Sequence, residues 1–470
     1  MTHAAHLPAV LDRIDADQDA SLDRLMSLLR RPSISTDPAY KADCAAAAEV
    51  LAEDLRSMGF DAATRPTPGH PMVVAHSPDV GGPDSAGPHL LFYGHYDVQP
   101  VDPLDLWDRP PFEPQVETRA DGSRLIRGRG TADDKGQLMT FLEACRAWKA
   151  VAGSLPCRVS VLLEGEEESG SPSLVPFMQA NAEELKADFA LICDTGMWNA
   201  TTPAMTTMLR GLMGDEVTIT AANCDLHSGA FGGAARNPIH VLASVIASLH
   251  DDQGRVVLPG FYDGVPEISD DLARQWEALN FSEADFLGDV GLSIPAGEAG
   301  RSALHSIWAR PTLEVNGIAG GYAGAGFKTV LPGQARAKIS CRLVGDQDPH
   351  AIRAALRAHV EAMLPADCTA TFHQHGSSKA CVMDVTAPEF EAARQALSDE
   401  WGTEAAFIGC GGSIPIAGHF QKLLGMQSML IGFGLEDDRI HSPNEKYEMA
   451  SFHKGARSWA RVLAALSARG

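Results

Sequence analysis

The sequence predicts an α/β protein with a central, largely parallel sheet flanked by helices, interrupted by an inserted α+β domain. Two observations predict this. Apolar runs such as His89-Leu90-Leu91-Phe92-Tyr93-Gly94 alternate with stretches of helical period, the pattern of a sheet buried on both faces. That alternation breaks near Arg210-Gly211 and returns from Ala387 onward. A length of 470 residues suits two or three domains. The expected boundaries are 1–211 for the first part of the main domain, 212–382 for the insert, and 383–470 for the second part.

In chain order, residues 23–30 read as an amphipathic helix closed by Arg31-Pro32. Residues 42–58 form an Ala-rich helix that Gly59 stops. The Gly- and Pro-rich stretch 66–88 reads as surface loop. After the strand at 89–94, residues 125–130 are a short strand or loop. Thr131 is placed as the cap of a helix carrying Leu138, Phe141, Leu142, Cys145 and Trp148. Strands are expected at 158–163 and 189–193. In the insert, 216–220 alternates as a strand, and Asn237-Pro238 opens a helix with Pro in its first turn. Residues 251–310 mix helix and loop. Strands follow at 312–315 and 335–343, a helix opens at Asp348-Pro349, and 369–372 is the last strand of the insert. The main domain then resumes with a helix at 388–397, a strand at 429–433 and a closing helix at 452–466.

Composition narrows the function. There are 38 basic against 61 acidic residues, a net charge of −23, which repels phosphate backbones and argues against nucleic-acid binding. No apolar stretch approaches the roughly 18 residues of a membrane span, so no membrane partner is expected. Residues 1–10 lack the pattern of a secretory signal. Nine cysteines without a C-x-x-C pair fit unpaired thiols in a reducing cytoplasm.

Ligands of open α/β sheets bind at the carboxyl ends of strands. There the sequence places Gly94-His95-Tyr96-Asp97, Asp133-Asp134, Glu164 to Gly170, Asp194 and Ile440-His441. Carboxylates gathered at one sheet edge are costly unless cations neutralise them. Asp133, Glu168 and Asp194 with one hydroxide balance two divalent ions. His95 and His441 add neutral nitrogen donors suited to zinc, although manganese or cobalt fits the same set. Asp133 is placed to bridge the two ions, one oxygen on each. His95 and Asp97, two apart on an extended segment, face the same way, so Asp97 accepts the second ring N–H of His95. Glu167, pointing away from its neighbour Glu168, is free to carry a proton.

The ordered motifs resemble the zinc aminoacylase and carboxypeptidase superfamily, which includes carnosinase, acetylornithine deacetylase, succinyl-diaminopimelate desuccinylase and glutamate carboxypeptidase. The wording is most similar to its carnosinase-type metallodipeptidase branch. The matching segments are Gly94-His95-Tyr96-Asp97-Val98-Gln99-Pro100, Gly128-Arg129-Gly130-Thr131-Ala132-Asp133-Asp134-Lys135-Gly136 and Glu164-Gly165-Glu166-Glu167-Glu168-Ser169-Gly170-Ser171. Further matches are Asp225-Leu226-His227-Ser228-Gly229, Lys328-Thr329-Val330-Leu331-Pro332, Gly411-Gly412-Ser413-Ile414-Pro415 and His441-Ser442-Pro443-Asn444-Glu445. The resemblance implies a metal-dependent hydrolase, most similar to a dipeptidase. It implies His95, Asp133, Glu168, Asp194 and His441 as metal ligands, Glu167 as general base and Asp97 as the aspartate behind His95. It further implies that the insert is a lid and homodimerisation domain. His227 would then reach the partner subunit's active site, and Thr329, Arg342 and Ser413 would hold the substrate. Arg342 suits a terminal carboxylate because a guanidinium pairs with it through two parallel bonds. Gly409-Cys410 stands where some dipeptidases carry Arg and Glu, which leaves substrate preference open.

Two alternatives stand beside the dipeptidase. An N-acyl amino acid deacylase shares every ligand, and a silent metal-binding scaffold shares the fold. Asp15-x-Asp17-x-Asp19 begins like a calcium loop, but Ala20 and Met26 occupy the positions for Gly and Glu. Phe327 separates Gly326 from Lys328, which breaks the phosphate-loop pattern.

Overall fold

A computed structural model describes residues 5–78 and 87–468. The chain divides into two compact units. The first comprises Met1–Thr207, Met383–Ile408 and His419–Gly470, and the second Met208–Val382 with Gly409–Gly418.

The first unit is built on a mixed sheet. Its strands run, in spatial order, Asp61–Arg65, Met72–His76, Arg158–Glu164, His89–His95, Phe189–Ile192 and Gln427–Ile431, followed by the start of Ala204–Leu209. The centre is parallel: His89–His95 pairs in parallel with both its neighbours, as does Phe189–Ile192. The outer pairings are antiparallel. Every residue of His89–His95 is buried, as a strand covered on both faces requires.

Helices Lys135–Ala152 and Met449–Ser467 pack on each other and on this strand. Phe92 stacks on Phe141 with centroids 3.9 Å apart, and Trp459 meets both rings edge-on. Each such pair adds about 0.5–1.5 kcal/mol beyond its buried area. This packing fixes the strand ends that carry His95, Glu164 and Cys193.

The second unit holds a four-stranded antiparallel sheet in the order Thr312–Gly320, Gln334–Leu343, Gly211–Thr220, Thr369–Ser378. Gly211–Thr220 alternates buried and half-buried residues along its whole length. Its buried face joins one core with Leu242 and Val245 of helix Pro238–Ala247 and Ile352 and Leu356 of helix Pro349–Ala362. Both helices start as their sequences predict. The side chains of Asn237 and Asp348 accept backbone N–H groups at Ile239 and His350, and proline follows each cap. The stretch 251–310 carries three short helices, Asp270–Ala278, Glu283–Gly288 and Ala303–Trp308.

Three local expectations change. Residues 66–88 are not all loop: Met72–His76 is a strand with four buried residues, and 79–86 lie outside the described residues. Its four-residue apolar run is too short to stand out among Gly and Pro. Thr131 does not cap a helix, which instead begins at Lys135; the Thr131 hydroxyl donates to the Gly128 carbonyl at 2.9 Å. Arg124–Arg127 belongs to a separate three-stranded sheet with Gln115–Thr118 and Lys446–Glu448. No helix among the described residues is long and apolar enough to cross a membrane. Among the described residues, Cys44, Cys145, Cys157, Cys193, Cys224, Cys341 and Cys368 carry free thiols.

Candidate metal centre

His95 is the last residue of its central strand, and Asp194 lies two residues past the end of the neighbouring one. Glu168 sits on a single 3-10 turn, Glu167–Ser169, just after strand Arg158–Glu164. Asp133 and His441 come from loops instead. The expectation of five strand ends on one sheet edge is therefore corrected: three segments leave the central sheet, and two approach it. The donor atoms still converge. His95 Nε2 lies 3.0 Å from Asp133 Oδ1 and 4.0 Å from Asp194 Oδ2. His441 Nε2 lies 2.9 Å from Asp133 Oδ2 and 3.3 Å from Glu168 Oε2.

Two donor groups result, His95–Asp133–Asp194 and Asp133–Glu168–His441, each with its ligand atoms within 4.8 Å of one another. Asp133 belongs to both, and its two oxygens face different histidines. Nitrogen and carboxylate donors in this number suit a pair of divalent ions.

The electrostatics also call for cations. Burial drives the Asp194 carboxyl well above its ordinary range, and the carboxylates around it push the same way. Hydrogen bonds to Asp133 and then Glu168 raise the His441 ring to about 10. Burial works to lower His95, yet its bonds to Asp133 and Asp97 outweigh that and raise it. Without metal, protons on two imidazoles thus supply part of the positive charge the carboxylates demand.

Asp97 does more than sequence spacing suggests. Its own carbonyl is the nearest partner of His95 Nδ1, at 3.1 Å, and its carboxylate lies 3.4 Å from that atom. The carboxylate's shorter bonds go to the backbone N–H groups of Glu167 and Glu168, at 3.2 and 3.0 Å. Asp97 thereby ties the His95 strand to the turn bearing both glutamates. Glu167 belongs to neither donor group. The reason is the turn, where successive side chains diverge by about 120°, and not the extended backbone expected. Burial, the largest influence on its carboxyl, raises Glu167 above its ordinary range, the direction a proton carrier needs.

In the second unit, Arg342 Nη1 donates to Ser413 Oγ at 3.3 Å, and Ser413 Oγ donates to the Arg210 carbonyl at 2.5 Å. His227 is exposed, its Nδ1 accepting the Gly229 N–H at 3.0 Å. It pairs with Val330 in a two-residue ladder, and Ser228 donates to the Thr329 carbonyl at 3.1 Å. Arg342 is thus brought to Ser413, and the His227 segment to that of Thr329.

The profile of peptidase family M20/M25/M40 matches residues 91–465. The chain belongs to that family. This M20-family chain is 30% identical to Cys-Gly metallodipeptidase DUG1 of Candida albicans, over 97% of its own length and 96% of the relative. Among solved structures it is similar to human carnosine dipeptidase 1, with a TM-score of 0.80, 27% identity and coverage of 98% and 99% of the two chains. It is also similar to the M20 family metallo-carboxypeptidase Sso-CP2 of Sulfolobus solfataricus, with a TM-score of 0.82, 29% identity and coverage of 95% and 99%. The protein is therefore a metal-dependent hydrolase of peptide or amide bonds, and its family works with a dinuclear divalent centre.

Several residues of this M20 chain were not assigned roles from sequence. Gln99 donates to Glu168 Oε2 at 2.6 Å. Buried Asp134 accepts the His95 N–H at 3.2 Å. Arg210 spans the Gly411 turn, its Nε donating to the Gly411 carbonyl at 3.1 Å and its Nη1 to the Ser306 carbonyl at 3.3 Å. Gln99 and Asp134 lie inside quoted motifs, which was the available signal. Arg210 carries none, because its partners are backbone carbonyls distant in sequence.

Proposed function

We propose that this chain is a dipeptidase that hydrolyses dipeptides with a free carboxylate, using two zinc ions held by His95, Asp133, Glu168, Asp194 and His441. One observation carries the reading: Asp133 turns one oxygen to each histidine and belongs to both donor groups. Bound divalent ions polarise the scissile carbonyl and make the attacking water acidic. Glu167 takes a proton from that water as its oxygen bonds to the carbonyl carbon. It returns the proton to the amine nitrogen as the C–N bond breaks. Asp97 holds both the His95 ring and the Glu167 turn in place for this transfer.

We assign substrate binding to Thr329, Arg342 and Ser413, with Arg342 on the terminal carboxylate. His227 is assigned to the scissile carbonyl of a partner subunit in a homodimer formed through residues 212–382. We assign the catalytic domain to residues 1–211 and 383–470, of which 208–211 and 409–418 fold with the second unit. The free thiols of Cys44, Cys145, Cys157, Cys193, Cys224, Cys341 and Cys368 support a cytoplasmic setting.

The test is metal content together with hydrolysis of a dipeptide panel on one preparation. Two ions per chain, loss of dipeptide hydrolysis on chelation and recovery with zinc are expected. Activity confined to N-acyl amino acids would replace the dipeptidase with a deacylase. Recovery with manganese or cobalt but not zinc would overturn the metal assignment. A chain that binds no metal and is not rescued by added ions refutes the centre.

A further inference from the structure

Glu445 is fully buried and lies four residues after His441. Its carboxylate has four N–H donors. Oε2 accepts from Arg129 Nη1 at 2.8 Å and from the Gly130 backbone at 3.0 Å. Oε1 accepts from the backbones of Ala132 and Asp133 at 2.9 and 3.2 Å. Such a set suits an ionised carboxylate, which is acceptor-only at both oxygens. A glutamine in its place would turn an NH2 group against N–H donors.

The loop so held has no helix or strand bonding of its own between Gly128 and Asp134. Its turn depends on Gly130 at φ +80, where a Cβ would stand 2.7 Å from Val98 Cγ1. The backbone N–H groups of Gly130, Ala132 and Asp133 thus surround one carboxylate.

The segment carrying Glu445 is anchored as well. The Asn444 side chain accepts the Asp108 N–H at 2.8 Å and donates to the Leu106 carbonyl at 3.0 Å. Gly128 N–H donates to the Glu445 carbonyl at 3.0 Å. The loop of Asp133 and the segment of His441 are therefore braced against each other through Glu445.

We propose that Glu445 is a positioning residue of the metal centre: it fixes the Asp133 backbone against the His441 segment, setting the spacing that lets one carboxylate serve both donor groups. This rests on the assignment of Asp133 as the shared ligand. Groups that orient metal ligands are worth about 10–100-fold in metal affinity. Because Asp133 is shared, both ions are affected.

The experiment is zinc titration against a competing chromophoric chelator on the full chain, wild type beside E445Q. E143Q is the comparator. Glu143 is another buried carboxylate of the same unit, held by bonds from Arg24 and Ser21 and not a member of either donor group. E445Q is expected to weaken both zinc sites by roughly 10–100-fold, with turnover recovering at saturating zinc. E143Q keeps wild-type zinc affinity. Unchanged zinc affinity in E445Q, or equal weakening in E143Q, overturns the proposal. If E445Q does not fold, E445D keeps the charge but shortens the reach, and the same weakening and the same refutation apply. A wild-type chain that binds fewer than two zinc ions refutes the parent reading, and that result appears before any substitution is compared.

Discussion

Replacing Glu167 by Gln separates proton transfer from metal binding. The side chains are nearly isosteric, so packing around this half-buried group is kept. The backbone N–H of Glu167 still donates to Asp97 at 3.2 Å, which leaves the turn and Glu168 in place. Neither donor group includes Glu167, so metal content stays at the wild-type value. What is lost is a carboxylate whose pKa burial raises, toward the range where it both accepts and returns a proton. General acid–base groups contribute about 10²–10⁴-fold. At 1.36 kcal/mol per tenfold that is about 3–5 kcal/mol of barrier. The assay is steady-state hydrolysis of a dipeptide at saturating metal, with metal counted on the same sample. A fall in kcat of that size with both ions retained is expected. Wild-type turnover in E167Q would remove Glu167 from the mechanism, and loss of an ion would make it a ligand instead.

Two other outcomes follow from the geometry. Arg342→Met removes the guanidinium that donates to Ser413. Hydrogen bonds to charged groups are worth about 1.5–3 kcal/mol, so KM for a dipeptide is expected to rise roughly tenfold to a hundredfold while kcat changes less; an unchanged KM refutes carboxylate binding there. Metal-free His441 is raised from 6.5 to about 10. A raised histidine stabilises the metal-free fold fully below 6.5, and that contribution is lost as pH climbs through 10. A ligand histidine must be neutral, so zinc loading near neutral pH expels protons, and calorimetry in buffers of different ionisation enthalpy reads the release. Loading without proton release refutes His441 as a ligand.

The parts of this molecule legible in its sequence were those with local signals. The helix starts at Asn237-Pro238 and Asp348-Pro349 carry their own caps, and the run Leu90-Leu91-Phe92 declares a buried strand. Met72–His76 was missed because four apolar residues among Gly and Pro are a weak local signal, and its place in the sheet is set by pairing on both edges, with Asp61–Arg65 and with the distant Arg158–Glu164. The origin of Asp133 was misplaced for a related reason. Its loop follows a strand, but that strand belongs to another sheet, and the loop's shape depends on Glu445, hundreds of residues later. Glu167 lies outside both donor groups while Glu168 joins one, and both sit on a 3-10 turn and not on the extended backbone that the sequence spacing suggested. Residue types and order thus reveal which groups meet, and long-range bonds decide how they are held.

The same reasoning makes the metal ions part of the fold. Asp133 is buried, Asp194 and Glu168 are partly so, and burial of each carboxylate opposes its charge. Protons on His95 and His441 offset only some of this in the metal-free chain. Two divalent ions offset more, and they bind the folded arrangement because the unfolded chain does not bring Asp133 to both histidines. A ligand at 100 times its Kd stabilises the fold by about 2.7 kcal/mol per site. Loading both sites is therefore expected to raise the melting temperature of the first unit by roughly 10–20 °C, since about 1 kcal/mol moves Tm by roughly 2–4 °C in domains of this order of size. Differential scanning calorimetry with and without chelator measures it. E167Q should show the full shift, because it keeps every ligand, and Asp133→Asn should lose most of it for both ions. An Asp133→Asn chain that melts with the wild-type zinc shift would mean the ions are held elsewhere.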